Sequence, residues 1–137
     1  MLNKNTGYWV ASGLFCAVYA FSSFMDLSGV GPAKATMEHL GFPSFVDAIL
    51  GVWKAGAVVA LLAPRLPRLK EWAYAGILFD LSGGFISHLA AGDAMPKPIV
   101  PVVLLAIALT SYFLRPASRT LQAPALDATA RAKPALA

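Results

Sequence analysis

The chain has 137 residues, of which 58% are apolar and only 13% charged, where a soluble domain carries roughly a quarter charged residues. Too little polar surface remains to cover a water-exposed fold, and the apolar residues gather in four blocks, so lipid is the expected solvent. The net charge of +4 does not point to nucleic acid, because the basic residues lie between and after those blocks instead of forming a stripe with interleaved aromatics.

A helical crossing needs about 20 mostly apolar residues, at about 1.5 Å rise, to cover a hydrocarbon core of about 30 Å. The first predicted span runs from Tyr8 to Leu27 and ends at Ser28-Gly29. Lys4, this apolar run and the small-residue site at Val18-Tyr19-Ala20 also fit a cleaved signal peptide. Cleavage would leave three spans and upset the charge balance described below, so a retained span is the preferred reading. Residues 33–40 are expected to form a short interfacial helix closed by Gly41 and Pro43. The second span covers 45–63 and stops at Pro64 and Pro67; the third covers 73–91 and stops at Gly92. The fourth, 99–114, is short and is followed by Pro116. Tyr8, Trp9, Trp72, Tyr74 and Tyr112 fall near span ends, where amphipathic rings favour the headgroup level. Strands are excluded as an alternative, since an open sheet edge in lipid leaves backbone groups unsatisfied.

The expected fold class is therefore all-α, an integral membrane four-helix bundle comprising residues 1–115, with a disordered tail over 116–137 that is rich in Ala and Pro. Lys4, Arg65, Arg68, Lys70, Arg115, Arg119, Arg131 and Lys133 fall on one side of this arrangement, and only Lys34 and Lys97 on the other. That bias places both termini in the cytoplasm, and the expected location is the bacterial cytoplasmic (inner) membrane, crossed several times.

Ionisable groups inside a span cost at least about 2.5–3.5 kcal/mol each on insertion scales, so they are the functional candidates. Lys54 sits in the middle of the second span and Asp80 near the middle of the third. At similar depth, the most economical arrangement pairs them across the bundle, either as a functional site or merely to fix helix register. Helical spacing extends each into a stripe: Asp47, Gly51 and Lys54; Gly76, Asp80, Gly84 and Ser87, with His88 beside them; and Tyr19, Ser22, Ser23 and Asp26 on the first span. Asp26, Asp47, Ser87 and His88 fall toward the outer leaflet and either line a cavity open to that side that narrows toward Lys54 and Asp80 or, the preferred reading for Asp26 and Asp47, lie near span ends and are simply wet. Gly84 reads either as one wall of a ligand slot or as a close helix contact. His88 is the side chain suited to pass protons near neutrality, or is simply a hydrogen-bonded polar residue.

No metal site is expected, because His39 and His88 are the only imidazoles and lack ligand spacing, and two axial haem ligands at one depth are missing. Cys16 is the sole cysteine, which excludes intramolecular disulfides and CxxC chemistry.

His39-Leu40-Gly41-Phe42-Pro43, Leu50-Gly51-Val52-Trp53-Lys54, Lys70-Glu71-Trp72-Ala73-Tyr74-Ala75-Gly76 and Ser87-His88-Leu89-Ala90-Ala91-Gly92-Asp93 occur in that order. In these segments the chain resembles the DoxX-like family of small four-helix membrane proteins. The resemblance implies association with redox chemistry, since members include membrane subunits of thiosulfate:quinone oxidoreductase and proteins of operons answering quinone or oxidative stress. It marks Lys54, Glu71, Tyr74, Asp80 and His88 as positions to watch, but carries no established catalytic set.

Three functions compete. In the first, a quinone or other lipophilic small molecule occupies a pocket bordered by Tyr19, Lys54, Asp80, Gly84 and Ser87, and the protein works beside a soluble redox partner. In the second, it is a membrane enzyme doing acid–base chemistry on a hydrophobic substrate, with Asp80 or His88 as base and Lys54 stabilising negative charge. In the third, it transports a solute with protons, which would require a homo-oligomer because the chain has no internal repeat.

Overall fold

The computed structural model describes residues 3–121, and every regular element among them is helical. The order is α1 (Lys4–Ser28), α2 (Pro32–His39), α3 (Ser44–Leu62), α4 (Pro67–Ala90) and α5 (Ile99–Leu114), followed by a 3₁₀ turn at Ala117–Arg119. The breaks arise where the sequence forbids continuation. Gly29 closes α1 in the left-handed region at φ 62°, Pro32 opens α2 at a position whose amide has no intrahelical acceptor, and Gly92 follows α4 at φ 72°.

The four long helices form a ring in which α1 packs on α3 and α5, and α4 on α5 and α3, while α2 lies across α1 and α3. Their shared core is Phe15, Cys16, Tyr19, Leu61, Tyr74, Ile77, Leu81 and Ala108. Much of the remaining apolar surface points outward. Trp53, Trp72, Phe79 and Phe113 are 69%, 78%, 74% and 77% exposed, which water would penalise and lipid would not.

Helices α1 and α3 are each long and apolar enough to cross a membrane. Helix α4 begins six residues before the predicted third span, taking in Arg68, Lys70 and Glu71, and this charge keeps its mean hydropathy low. Helix α5 is apolar, but its 16 residues extend only about 24 Å. The predicted tail also begins in ordered form, because residues 116–121 fold back on the body, whereas 122–137 lie outside the described residues.

The α1–α3 contact depends on Gly51. A Cβ there would stand 2.7 Å from Leu27 Cγ and 3.1 Å from Asp26 Cβ. Leu27 is half exposed and can turn away; Asp26 is buried and tied down. Gly51→Ala is therefore expected to lower stability by about 1–3 kcal/mol through overpacking. Gly76→Ala, with nothing within 4 Å of the added carbon, should be neutral or stabilising by up to about 1 kcal/mol. Thermal unfolding of the two variants in the same detergent checks the contrast.

Candidate functional site

The polar stripe predicted on α1 faces inward along its whole length. Tyr19 Oη donates to Asp80 Oδ2 at 2.6 Å, Ser22 Oγ accepts from Lys54 Nζ at 3.1 Å, Ser23 Oγ donates to the Gly51 carbonyl at 2.7 Å, and Asp26 Oδ2 accepts from Lys54 Nζ at 2.8 Å. The expected Lys54–Asp80 pair does not form. Gly51 brings α1 so close to α3 that Lys54 reaches Asp26 within one helical turn, and Asp80 is taken by Tyr19 instead. Nor are Asp26 and Asp47 wet, since each is only 4% exposed. Asp47 Oδ1 is fully buried and has no hydrogen-bond partner among the described residues.

Between α3 and α4 the packing is looser than between any other neighbouring pair of long helices. Small residues face each other there, Gly56, Ala57 and Ala60 on α3 and Ala73 and Gly76 on α4, and at this helix separation they do not fill the space. Between them lies a cavity of about 490 Å³, open on its outer side and flanked by Trp53 and Trp72. Its charged and hydroxyl groups gather at one end, where Tyr19, Lys54 and Asp80 border it. Lys54 spends two of its three N–H bonds on Ser22 and Asp26, and one carboxylate oxygen of Asp80 is left over from the Tyr19 bond. The border of the cavity at this end thus retains one spare donor on Lys54 and one spare acceptor on Asp80.

Gly84, Ser87 and His88 do not border this groove. They line a second cavity of about 410 Å³ beneath α2, which meets the first at Leu50, Lys54 and Asp80. His88 Nδ1 lies 2.7 Å from Asp93 Oδ2, while Asp93 Oδ1 accepts from Lys97 at 3.0 Å and lies 2.9 Å from His39 Nε2. The bonds from His88, Lys97 and His39 hold the Asp93 carboxyl well below the usual carboxylate range. The two histidines, which showed no useful spacing in the sequence, are joined through this aspartate.

At the opposite end of the molecule, Tyr74 Oη and Ser12 Oγ lie 2.7 and 2.6 Å from Ser111 Oγ. Glu71 pairs with Arg115 at 2.8 Å, and Arg115 stacks on Tyr112 with its guanidinium 4.0 Å from the ring centroid. These contacts tie α4 to α1 and α5, away from either cavity. Glu71 and Tyr74 therefore position helices.

The groove walls, Leu50, Trp53, Ala60 and Trp72, are not among the site residues expected from the sequence, where Trp72 reads as a headgroup-level aromatic. Their signal was a stripe of small residues on each of two helices, indistinguishable from ordinary close packing until the helix separation is known. No curated protein and no solved structure matches the chain. The model of the DoxX-like family matches residues 10–111, from within α1 to within α5. On that match, which takes in both cavities and the helices that build them, the chain belongs to the DoxX-like family and is a membrane protein.

Proposed function

We propose that this protein crosses the bacterial cytoplasmic membrane four times with both termini in the cytoplasm, and holds a quinone-like lipophilic molecule in the groove between α3 and α4. The observation that carries this reading is the distribution of polarity in the groove. An apolar slot open toward lipid ends on a lysine donor and an aspartate acceptor, which suits a ring bearing a carbonyl or hydroxyl on an apolar body. A quinone accepts a hydrogen bond from Lys54, and a quinol also donates one to the free oxygen of Asp80. When bound, such a molecule would carry electrons to or from a soluble partner; the chain's own residues bind its ring, orient it and exclude water.

The α4 start within the basic 65–70 segment supports the orientation, since these charges would then lie at the cytoplasmic headgroups. The third crossing is read as 73–90. The Tyr19–Asp80 bond favours the acid–base enzyme as a second reading, with Asp80 as the base.

Quenching of tryptophan emission by a short-chain ubiquinone, with Trp53 and Trp72 in the groove, tests the proposal. Asp80→Asn should weaken quinol binding about 10-fold, equivalent to one charge-assisted hydrogen bond of about 1.4 kcal/mol. Gly76→Leu, which has room on the groove side, should abolish binding while the protein stays folded. Absence of both quenching and a thermal shift with quinone and quinol would remove the reading.

A further inference from the structure

The cavity beneath α2 differs in character from the groove it adjoins. Ser22, Lys54, Asp80, Ser87 and His88 all reach it, so it offers the several polar partners that water needs to occupy a space of this size. It also continues outward. A third hollow of about 480 Å³ shares Thr36, His88 and Val100 with it and adds His39 and Lys97, whose side chains are 46% and 58% exposed. From Asp80 to His88 along α4 is eight residues, about 12 Å. Thus a polar route runs from the middle of the molecule to its surface on the His39 side, and Leu50, Lys54 and Asp80 divide it from the apolar groove.

We propose that the cavity beneath α2 is a water-filled vestibule through which Asp80 exchanges protons with the face carrying His39 and Lys97, while the α3–α4 groove stays dry. This rests on the membrane reading above but not on the identity of the groove's ligand. Asp80 is the group placed to serve both compartments. Tyr19 from α1 donates to one of its oxygens. Lys54 from α3 borders both cavities with it, its charge shared with Asp26. From α2 come Thr36 and Met37, and from α5 Val100, Pro101 and Leu104, none of them titratable. The next titratable group outward is His88, then Asp93 and His39 at the rim. A proton given up by an O–H ligand to the Asp80 carboxylate therefore leaves by way of the vestibule water and His88, and the carboxylate is restored.

Single cysteines in a Cys16→Ala background, in sealed proteoliposomes, test this. Gly84→Cys reports on the vestibule and Gly76→Cys on the groove. Both should fold, because an added Cβ meets nothing nearer than Pro101 Cβ at 3.8 Å for Gly84 and nothing within 4 Å for Gly76. A membrane-impermeant, cationic thiol reagent should label Gly84→Cys from the same face as Lys97→Cys, and label Gly76→Cys at least about 100-fold more slowly from either face. Next, Asp80→Cys is labelled with a small lipophilic maleimide while pH is varied on one face at a time. Only the thiolate reacts, so the rate should rise about tenfold per pH unit, below the thiol's pKa, with pH on the Lys97 face alone. Gly84→Cys closed to the charged reagent while Lys97→Cys reacts would overturn the vestibule. An Asp80→Cys rate that follows the opposite face would do the same; if that variant does not fold, the Gly84 and Gly76 pair decides. Loss of quinone binding in the fluorescence titration would leave these outcomes unaffected, so the two proposals fail separately.

Discussion

Lys54→Met is expected to destabilise the protein by about 3–5 kcal/mol, the range for a buried ion pair stripped of one partner. Lys54 and Asp26 are 11% and 4% exposed at the side chain and meet at 2.8 Å, so little water is available to the charge that remains. The loss should exceed that of Asp26→Ala. Lys54 is also an electrostatic neighbour of Asp47, so its removal leaves two buried carboxylates without a cation, whereas Asp26→Ala leaves Lys54 with Asp47. The double variant Asp26→Ala/Lys54→Met should be more stable than Lys54→Met alone, because removing both charges cancels a desolvation cost that removing one exposes. Equilibrium unfolding in mixed micelles measures all three. Equal, additive losses would show that the two charges do not act as a pair.

Lys70→Met should cost about 2–4 kcal/mol, and the reason begins with two prolines. A helical carbonyl normally accepts from the amide four residues on, but Pro64 has no N–H to offer Ala60, and the carbonyl of Ala63, where the chain leaves the helix at ψ 137° before Pro67 opens α4, has no helical partner. Lys70 reaches back from the first turns of α4 and supplies both, donating to Ala60 O at 2.6 Å, to Ala63 O, and to Leu61 O at 3.0 Å. Its side chain is fully buried in doing so. Arg119, from the turn after α5, adds bonds to Leu61 O at 2.9 Å and to Tyr8 Oη at 3.3 Å. Methionine keeps the apolar stem but strands the Ala60 and Ala63 carbonyls, each worth about 1–3 kcal/mol when left unsatisfied. Arg119 continues to serve Leu61. Arg68→Ala, at an exposed position two residues away, should change stability by less than about 0.5 kcal/mol. A melting temperature for Lys70→Met equal to that for Arg68→Ala would show that water, not Lys70, satisfies the end of α3.

The Lys70 cap illustrates what was readable and what was not. Both prolines and the lysine are plain in the sequence, and Lys70 was counted there only as one of several orientation charges. Its reach onto α3 depends on the tight turn at 63–66, which local patterns do not define. Arg119 is a similar case, placed in a tail expected to be disordered and found docked over Trp9, with its guanidinium 4.5 Å from the ring centroid. Conversely, the shared face of Tyr19, Ser22, Ser23 and Asp26 is readable, since residues three and four apart lie together whatever that face meets, although the burial of Asp26 on it is not.

The amino-acid sequence by itself determined the helical class, the places where most helices end and the polar faces of α1, α3 and α4, because all of these follow from local composition and a 3.6-residue period. Only the tertiary structure decided which polar faces meet. The absent side chain of Gly51 draws α1 against α3 and gives Lys54 to Asp26; the small residues between α3 and α4 coincide with a gap, leaving Asp80 to Tyr19 and opening the groove. The same residue type closes one interface and accompanies a cavity at another. Helix separation and rotation, set by every contact in the ring, make that difference, and no single stretch of the chain contains them.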